Sequence, residues 1–185
     1  KQKKMILGGG SNILFTKNFN GLVIHNKIRG IQIVSENKEK VEIKVGAGEV
    51  WDDLVAWTTK HNYYGIENLS LIPGSVGAAP IQNIGAYGSE LKDTFQQLEA
   101  IDLKTKEKII FNKSDCRFGY RDSIFKQELK NRFIITNVYL KLTKIKSINL
   151  SYKILKDNIA TTNLKSEDVR KIIINIRNSK LPNPK

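Results

Sequence analysis

The sequence contains few of the residues that build cross-linked or metal-rich proteins. Its 185 residues include one cysteine, Cys116, and two histidines, His25 and His61, which lie far apart in the chain. A single cysteine excludes a disulfide framework and any cysteine-rich metal site. Two distant histidines argue against a zinc cluster. We therefore predict a protein without a metal centre.

Long apolar runs are also absent. No run approaches the roughly 18 residues that a membrane-spanning helix needs. The first residues, KQKKMILGGG, lack the apolar segment of a signal peptide. We therefore expect a cytoplasmic protein that does not contact membranes. The composition, 40% hydrophobic and 26% charged, is typical of a globular protein, and a chain of this mass buries about 70% of its surface on folding.

Acidic residues are the scarcer charge, 18 against 31 basic residues, which gives a formal net charge of +13. Such an excess is typical of nucleic-acid-binding proteins. However, 25 of the basic residues are lysine, and Lys, Ile and Asn have A/T-rich codons, so genomic bias is an equally good explanation. The charge is also uneven: residues 1–60 carry +4, residues 61–103 carry −4 and residues 104–185 carry +13.

Apolar periodicity predicts strands up to about residue 144 and helix after it. The predicted strands are 5–7, 21–26, 30–35, 40–48, 95–103, 108–112 and 134–142, of which 30–35 and 40–48 alternate as half-buried strands do and 95–112 forms a hairpin. The change of pattern places a boundary near residue 145, so that 1–145 is one domain and 146–185 is a connection to another.

Two helices are predicted. The segment 50–61 places Trp51, Leu54, Val55 and Thr58 on one face. A second helix has Ser166 as its N-cap, ends at Lys180 and is followed by Pro182. Its apolar face consists of Val169, Ile172, Ile173 and Ile176.

The first candidate site is the glycine run that follows strand 5–7, with the sequence Gly8-Gly9-Gly10-Ser11-Asn12. Consecutive glycines let backbone N–H groups approach a phosphate. The run does not match a Rossmann fingerprint, because Ile13 occupies the place of the third glycine. It does not match a P-loop either, because Gly-Lys-Ser/Thr is absent. An ordinary turn is the alternative explanation.

The second candidate site is PGSVGAAPIQNIGAYG, residues 73–88. Four glycines and few charges make it an irregular segment of a kind that is usually functional in compact domains. It contains no cationic residue, so backbone amides would have to hold a phosphate here. An irregular connection through the core explains the pattern equally well.

The third candidate site is CRFGYRDS, residues 116–123, in which Arg117 and Arg121 flank Gly119 and Tyr120. The planar, permanently charged guanidinium suits stabilisation of an enolate or a carboxylate. A solvated strand edge is the alternative. Cys116 has no histidine near it in sequence, so we predict a buried small residue rather than a nucleophile. His25, in an apolar strand, is predicted to be structural.

Together these segments resemble a known family. The stretches ILGGGSNILF, VGAGEVWDDLVAW, GIENLSLIPGSVGAAPIQNIGAYG and CRFGYRDSIFK, and the tail IRNSKLPNPK, resemble the UDP-N-acetylenolpyruvoylglucosamine reductase family. The resemblance implies an α+β protein with the FAD-binding fold of the vanillyl-alcohol oxidase type, in two subdomains with mixed β-sheets. Residues 1–145 would form the FAD-binding domain, and residues 146–185 would lead into the substrate-binding domain.

The resemblance also implies cofactors and site residues. FAD would be bound non-covalently, because the glycine-rich loops contain no histidine, and NADPH would reduce it. Arg121 matches the catalytic arginine of the family, which binds the substrate carboxylate and stabilises the enolate. The tyrosines and the lysine expected at the substrate are Tyr87, Tyr120, Tyr152 and Lys180. The expected FAD contacts are Gly8, Gly9, Gly10, Ser11, Asn12, Gly74, Ser75, Gly77, Ala78, Pro80, Asn83 and Gly85.

The chain departs from the family pattern at both ends. The serine that serves as proton donor in the family, and a glutamate near its C-terminus, would follow Lys185. We therefore expect an internal fragment of a cytoplasmic enzyme of peptidoglycan precursor synthesis, a monomer when intact and inactive in isolation. The alternative is a basic module that binds nucleic acid or another polyanion without catalysis.

Overall fold

Nine strands and three α-helices make up the computed structural model, which describes residues 2–158 and 163–180. The strands are β1 (Lys4–Leu7), β2 (Leu22–His25), β3 (Ile31–Glu36), β4 (Lys40–Gly46), β5 (Gly85–Ala86), β6 (Ser89–Glu90), β7 (Phe95–Asp102), β8 (Lys108–Asn112) and β9 (Phe133–Thr143). The helices are α1 (Trp51–Lys60), α2 (Lys153–Asp157) and α3 (Ser166–Lys180), with 3₁₀ helices at Glu67–Leu69, Val76–Gln82 and Leu91–Asp93.

The strands form three sheets. Five of them make an antiparallel sheet in the order β3-β4-β9-β7-β8, in which the predicted β7–β8 hairpin is present. The strands β1 and β2 pair in parallel, and β5 pairs with β6. Because β1 leads directly into the first glycine run, the small parallel sheet positions that loop.

The main apolar core lies between the five-stranded sheet and α1. Every second residue of β4 is buried, as expected for a strand with one covered face. The predicted inner face of α1 is confirmed, since Trp51, Leu54, Val55 and Thr58 are all buried. The Trp51 Nε1 also donates a 2.9 Å hydrogen bond to the Leu69 carbonyl, which fixes the segment that leads into residues 73–88.

The apolar strand β2 is mostly exposed, and His25 lies exposed at its end, so the structural role of His25 stays a prediction. Two local predictions are wrong. Residues 31–36 are largely exposed rather than half-buried, because β3 is the edge strand of its sheet. Ser166 is the first residue of α3 rather than its cap. Its hydroxyl donates to the Thr59 carbonyl, and the Asp168 carboxylate accepts the Lys165 N–H near the helix start.

A second, smaller apolar cluster lies beyond residue 145. It joins α2 to α3 through Leu155, Leu164, Val169, Ile173 and Ile176. Helix α3 reaches Lys180, the last described residue, and its predicted end there stays a prediction because Pro182 and the rest of the tail lie outside the described residues. The domain boundary near 145 stays a prediction. Within the described ranges, no helix has the length and apolarity that crossing a bilayer requires, and no group of three or more acidic, histidine or cysteine side chains is arranged to hold a metal.

Candidate functional site

The two glycine-rich loops, far apart in sequence, lie against each other. A Cβ atom on Gly8 would collide with the Ser75 hydroxyl, and one on Gly9 would lie 3.2 Å from the Gly74 Cα. Gly10 and Gly74 have φ angles of +73° and +122°, which side chains rarely allow. Glycine is therefore required here both for the turns and for the close approach of the two backbones.

This contact leaves backbone donors unused. Within residues 2–158 and 163–180, the N–H groups of Gly9, Gly10, Ser11, Asn12 and Ser75 donate no hydrogen bond. Exposed N–H groups that converge from turns form binding sites for anions. The arrangement agrees with the expectation that backbone amides, rather than lysines, would hold a phosphate in these loops.

The loops line one side of a cavity of about 260 Å³, which we call the glycine groove. Its walls are residues 8–13, residues 72–75, Trp51 and Arg121, together with Gln82 and several apolar residues, among them Ile6 and Ile84. Among the described residues that line it, Arg121 carries the one charged side chain. A neighbouring cavity of about 230 Å³ shares Gly8 and Ser75 with the groove and has Lys126 and Lys130 among its lining residues.

A third cavity, the tyrosine pocket, begins where the groove ends. It is lined by residues 85–90, Lys92, Asp93, Tyr120, Arg121 and Tyr152, with a volume of about 590 Å³. The Tyr87 and Tyr152 rings meet edge to face with centroids 5.5 Å apart. Arg121 lines both the glycine groove and the tyrosine pocket, so this residue lies at their junction.

The two arginines of CRFGYRDS differ in their surroundings. Arg117 forms a 2.9 Å ion pair with Glu128, and both side chains are 64% exposed. Among the described residues, none forms an ion pair or a hydrogen bond with the Arg121 guanidinium, whereas the Arg121 carbonyl accepts a hydrogen bond from Lys126 Nζ. Arg121 lines two cavities with its guanidinium unpaired, so it is available to a bound anion, whereas Arg117 already has a partner.

The turn that carries Arg121 is held by Asn83. This residue is fully buried with φ +43°. Its Nδ2 donates to the Gly119 carbonyl at 3.0 Å, and its Oδ1 accepts the Lys92 N–H at 3.0 Å. Ser123 Oγ adds a 2.7 Å bond to the Ile81 carbonyl. The Asn83 amide therefore connects the turn before Arg121 to Lys92, and its predicted contact with FAD stays a prediction.

The remaining predicted residues fall at several places. Ala78 lines both the glycine groove and the cavity next to it, Gly77 lines that neighbouring cavity, Gly85 lines the tyrosine pocket, and Pro80 is buried inside a 3₁₀ helix. Tyr120 is 85% exposed. Lys180 is exposed at the end of α3 and lines none of the three cavities. Their roles toward ligands stay predictions.

Some lining residues gave no signal in the sequence. Trp51 lines the glycine groove, although the helical spacing of the apolar residues in 50–61 predicts only that it belongs to the core. Ile6 also lines the groove, from a strand whose sequence gives no sign of a binding site. The prediction for Cys116 is confirmed, since it is fully buried and desolvation raises the pKa of its thiol to about 12. Such a thiol is not a nucleophile at neutral pH.

Comparison with known proteins decides the family. The family model described as "FAD binding domain" matches residues 1–108, more than half of the chain. The chain belongs to the FAD binding domain family. The match contains the first glycine run and all of residues 73–88, so both walls of the glycine groove lie in the part of the chain that matches.

Curated relatives agree with the family resemblance found in the sequence. The chain is 51% identical to UDP-N-acetylenolpyruvoylglucosamine reductase of Flavobacterium johnsoniae over 100% of this chain and 56% of the relative. It is 46% identical to the protein of the same name from Bdellovibrio bacteriovorus, over 97% of this chain and 54% of the relative. The chain thus spans about half the length of the curated relatives it matches.

Solved structures confirm the predicted fold class. UDP-N-acetylenolpyruvylglucosamine reductase from Thermus caldophilus superimposes with a TM-score of 0.68 at 21% identity, over 100% of this chain and 58% of that one. Cholesterol oxidase from Brevibacterium sterolicum gives a TM-score of 0.50 at 16% identity, over 77% of this chain and 30% of that one. The FAD-binding domain described here therefore has the α+β fold that the resemblance implied.

The glycine groove fits the cofactor of this family. FAD contains a pyrophosphate, and the groove offers unused N–H groups on two loops that lie so close together that Cβ atoms on Gly8 and Gly9 would crowd the facing loop. Nothing acidic lines the described walls of the groove, so an anionic group meets no repulsion there.

Proposed function

We propose that this chain holds the flavin of an NADPH-dependent reductase that converts UDP-N-acetylenolpyruvoylglucosamine to UDP-N-acetylmuramate, a step in the synthesis of peptidoglycan precursors. The name of the relatives supports this substrate. The observation that carries the proposal is Arg121, an arginine without a partner among the described residues, between the glycine groove and the tyrosine pocket. The cytoplasm is the proposed location.

In this proposal the glycine groove binds FAD. The free N–H groups of Gly9 to Asn12 and of Ser75 donate to the pyrophosphate, and the glycines keep the two loops close enough to do so. Trp51 and the apolar wall exclude water from the groove. Binding is non-covalent, because neither glycine-rich loop contains a histidine.

The tyrosine pocket receives the substrate. When bound, the flavin would pass a hydride from NADPH to the vinyl terminus of the enolpyruvyl group. Negative charge then develops next to the substrate carboxylate, and the Arg121 guanidinium stabilises it from a fixed position. Tyr87, Tyr120 and Tyr152 surround the sugar, and Lys180 is proposed to contact the diphosphate. Protonation of the carbon next to the carboxylate completes the reduction.

The experiment compares the two arginines in the full-length, flavin-loaded protein. We expect Arg121→Ala to slow the reduction of the enolpyruvyl substrate by about 100-fold or more, the size of effect seen when one preorganised donor is removed. Flavin reduction by NADPH should change little, because no anion develops on the substrate in that step. Stopped-flow absorbance of the flavin follows each half-reaction separately.

Arg117→Ala is the matched control, since it removes a guanidinium four residues away that is paired with Glu128 at the surface. It should leave both half-reactions unchanged. An equal loss in both half-reactions of Arg121→Ala would refute the role of Arg121. A purified protein that contains no flavin and does not bind added FAD would refute the proposed function itself.

A further inference from the structure

Two asparagine side chains connect the segment that carries Tyr152 to the wall of the tyrosine pocket. Asn149 Nδ2 donates to the Gly88 carbonyl at 2.9 Å and to Ser89 Oγ at 3.3 Å. Its Oδ1 accepts the Ser151 N–H at 3.0 Å. One amide group thus bonds both to the turn that follows Tyr87 and to the residue that precedes Tyr152.

The second asparagine is Asn68, which is 1% exposed beneath the same turn. Its Nδ2 donates to the Tyr87 carbonyl at 2.9 Å and to the Asn149 carbonyl at 2.8 Å. Among the described residues its Oδ1 has no partner. Because both neighbours of Nδ2 are acceptors, the reversed orientation of the amide would place oxygen against oxygen. The two donated bonds therefore fix this orientation.

The backbones of the two segments also touch. Gly88 has φ +82°, and a Cβ atom there would lie 2.5 Å from Ser151 Oγ and 3.5 Å from Asn149 Nδ2. Next to this contact the Tyr87 and Tyr152 rings meet at 90°. Tyr152 is 49% exposed, so few packing contacts of its own hold the ring over the pocket. Its position depends on the bonds that anchor residues 149–151.

We propose that Asn68 and Asn149, which we call the amide clamp, are positioning residues that hold Tyr152 edge-on to Tyr87. By doing so they set the width of the pocket through which an anionic substrate reaches Arg121. This inference rests on the proposed function. It implies that the clamp controls the apparent affinity for the substrate and has little influence on the reduction of the flavin.

The test uses Asn149→Asp in the full-length, flavin-loaded protein. Aspartate keeps the size of the side chain and the acceptor for Ser151, but it cannot donate to Gly88. We expect the KM for UDP-N-acetylenolpyruvoylglucosamine to rise roughly tenfold, as the loss of one or two hydrogen bonds predicts. Flavin reduction by NADPH should be unchanged.

Asn158→Asp is the control variant. It makes the same chemical change at the exposed end of α2, where Asn158 Nδ2 bonds to the Ile154 carbonyl at 2.8 Å and lies outside the clamp. Its KM should equal that of the unmutated protein. A tenfold rise in this control as well would contradict the clamp, because a general effect of added charge would then explain both variants.

A double-mutant cycle separates positioning from general structure. If Asn149 acts through Tyr152, then Asn149→Asp should cause no further rise in KM in the Tyr152→Ala background. Additive effects would show that Asn149 acts by another route and would overturn the proposal. An unchanged KM in Asn149→Asp alone would also overturn it.

Hydrogen exchange gives a readout that needs no substrate. Amides of residues 148–153 should exchange faster in Asn149→Asp than in the unmutated protein or in Asn158→Asp. If the amides of residues 148–153 exchange at the same rate in Asn149→Asp as in the unmutated protein, the proposed clamp is overturned even if the enzyme is active. If the unmutated protein fails to turn over the substrate, the proposed function fails, and exchange then decides whether the clamp exists.

Discussion

The core beneath the five-stranded sheet and the smaller cluster around α3 differ in how their parts are held together. The main core consists of 24 buried apolar residues from β4, α1, β7, β9 and the segments between them, as far as the structure is described. The cluster around α3 has five, and three polar connections attach it: Arg170 to Asp52, Ser166 to Thr59, and the amide clamp.

This difference separates two tasks. Apolar burial keeps the walls of the glycine groove rigid, because burial contributes in proportion to area and does not depend on direction. Polar connections depend on direction, so they determine where the segment with Tyr152 lies without adding much stability. The glycine groove and the tyrosine pocket are thus built by different interactions. Truncating buried side chains at matched positions of the two regions can test this difference.

The largest loss of unfolding free energy is expected for Ile43→Ala, in the centre of β4. Ile43 is fully buried and pairs across the sheet with Leu140. Truncation leaves a cavity that neighbouring strands cannot fill, which costs about 4 kcal/mol. Urea unfolding should show this loss as one cooperative transition, and the purified variant should hold less flavin. Retention of full stability would contradict the rigid core.

A smaller and local effect is expected for Ile173→Ala, the same change at a fully buried position of α3. The loss should be about 2 kcal/mol, because the small cluster can separate from the core before the rest unfolds. Hydrogen exchange should increase in 164–180 while the flavin content stays normal. If Ile173→Ala lowered flavin content as much as Ile43→Ala, the two regions would form one cooperative unit.

The same difference explains what the sequence could predict. Local periodicity identified β4, β9, α1 and α3, because each places apolar residues at a regular spacing against the core. It also identified β3 as a strand but not its exposure, because alternation does not reveal which strand lies at the edge of a sheet. The contact between the two glycine runs was not predicted, since nothing in their spacing requires them to meet; the family resemblance implied only that both runs would contact FAD.

Side-chain hydrogen bonds between residues that are distant in sequence were not predictable. Asn83 and Gly119 are 36 residues apart, and Asn149 and Gly88 are 61 apart, so no local pattern connects them. Asn83 and Asn149 both lie in irregular segments, where turn formation is the usual explanation for an asparagine. These hydrogen bonds become visible only in the folded chain.

The smallest stability effect concerns Arg170, which donates to both Asp52 carboxylate oxygens at 2.5 and 2.8 Å. Burial alone would raise the pKa of Asp52, but the bonds from Arg170 and from the Leu71 N–H hold that pKa below its usual value. The folded state therefore favours the ionised carboxylate. This contribution is fully present above the unfolded-state pKa of about 3.9 and is lost as the pH falls through the lower folded-state pKa.

We expect Arg170→Met to lower the unfolding free energy by about 1.5 kcal/mol at pH 7, since it leaves a half-buried carboxylate without its partner. The difference in unfolding free energy between Arg170→Met and the unmutated protein, measured by urea titration, should become smaller as the pH is lowered from 5 to below 3. Burial raises the pKa of Glu67, but Glu67 titrates in both proteins, so its contribution cancels from the difference in unfolding free energy.

The control is Arg117→Met, which removes the exposed ion pair with Glu128. It should change the unfolding free energy by less than about 0.5 kcal/mol at every pH. A gap for Arg170→Met that did not depend on pH would mean that the aliphatic part of its side chain, rather than its charge, attaches α3 to α1.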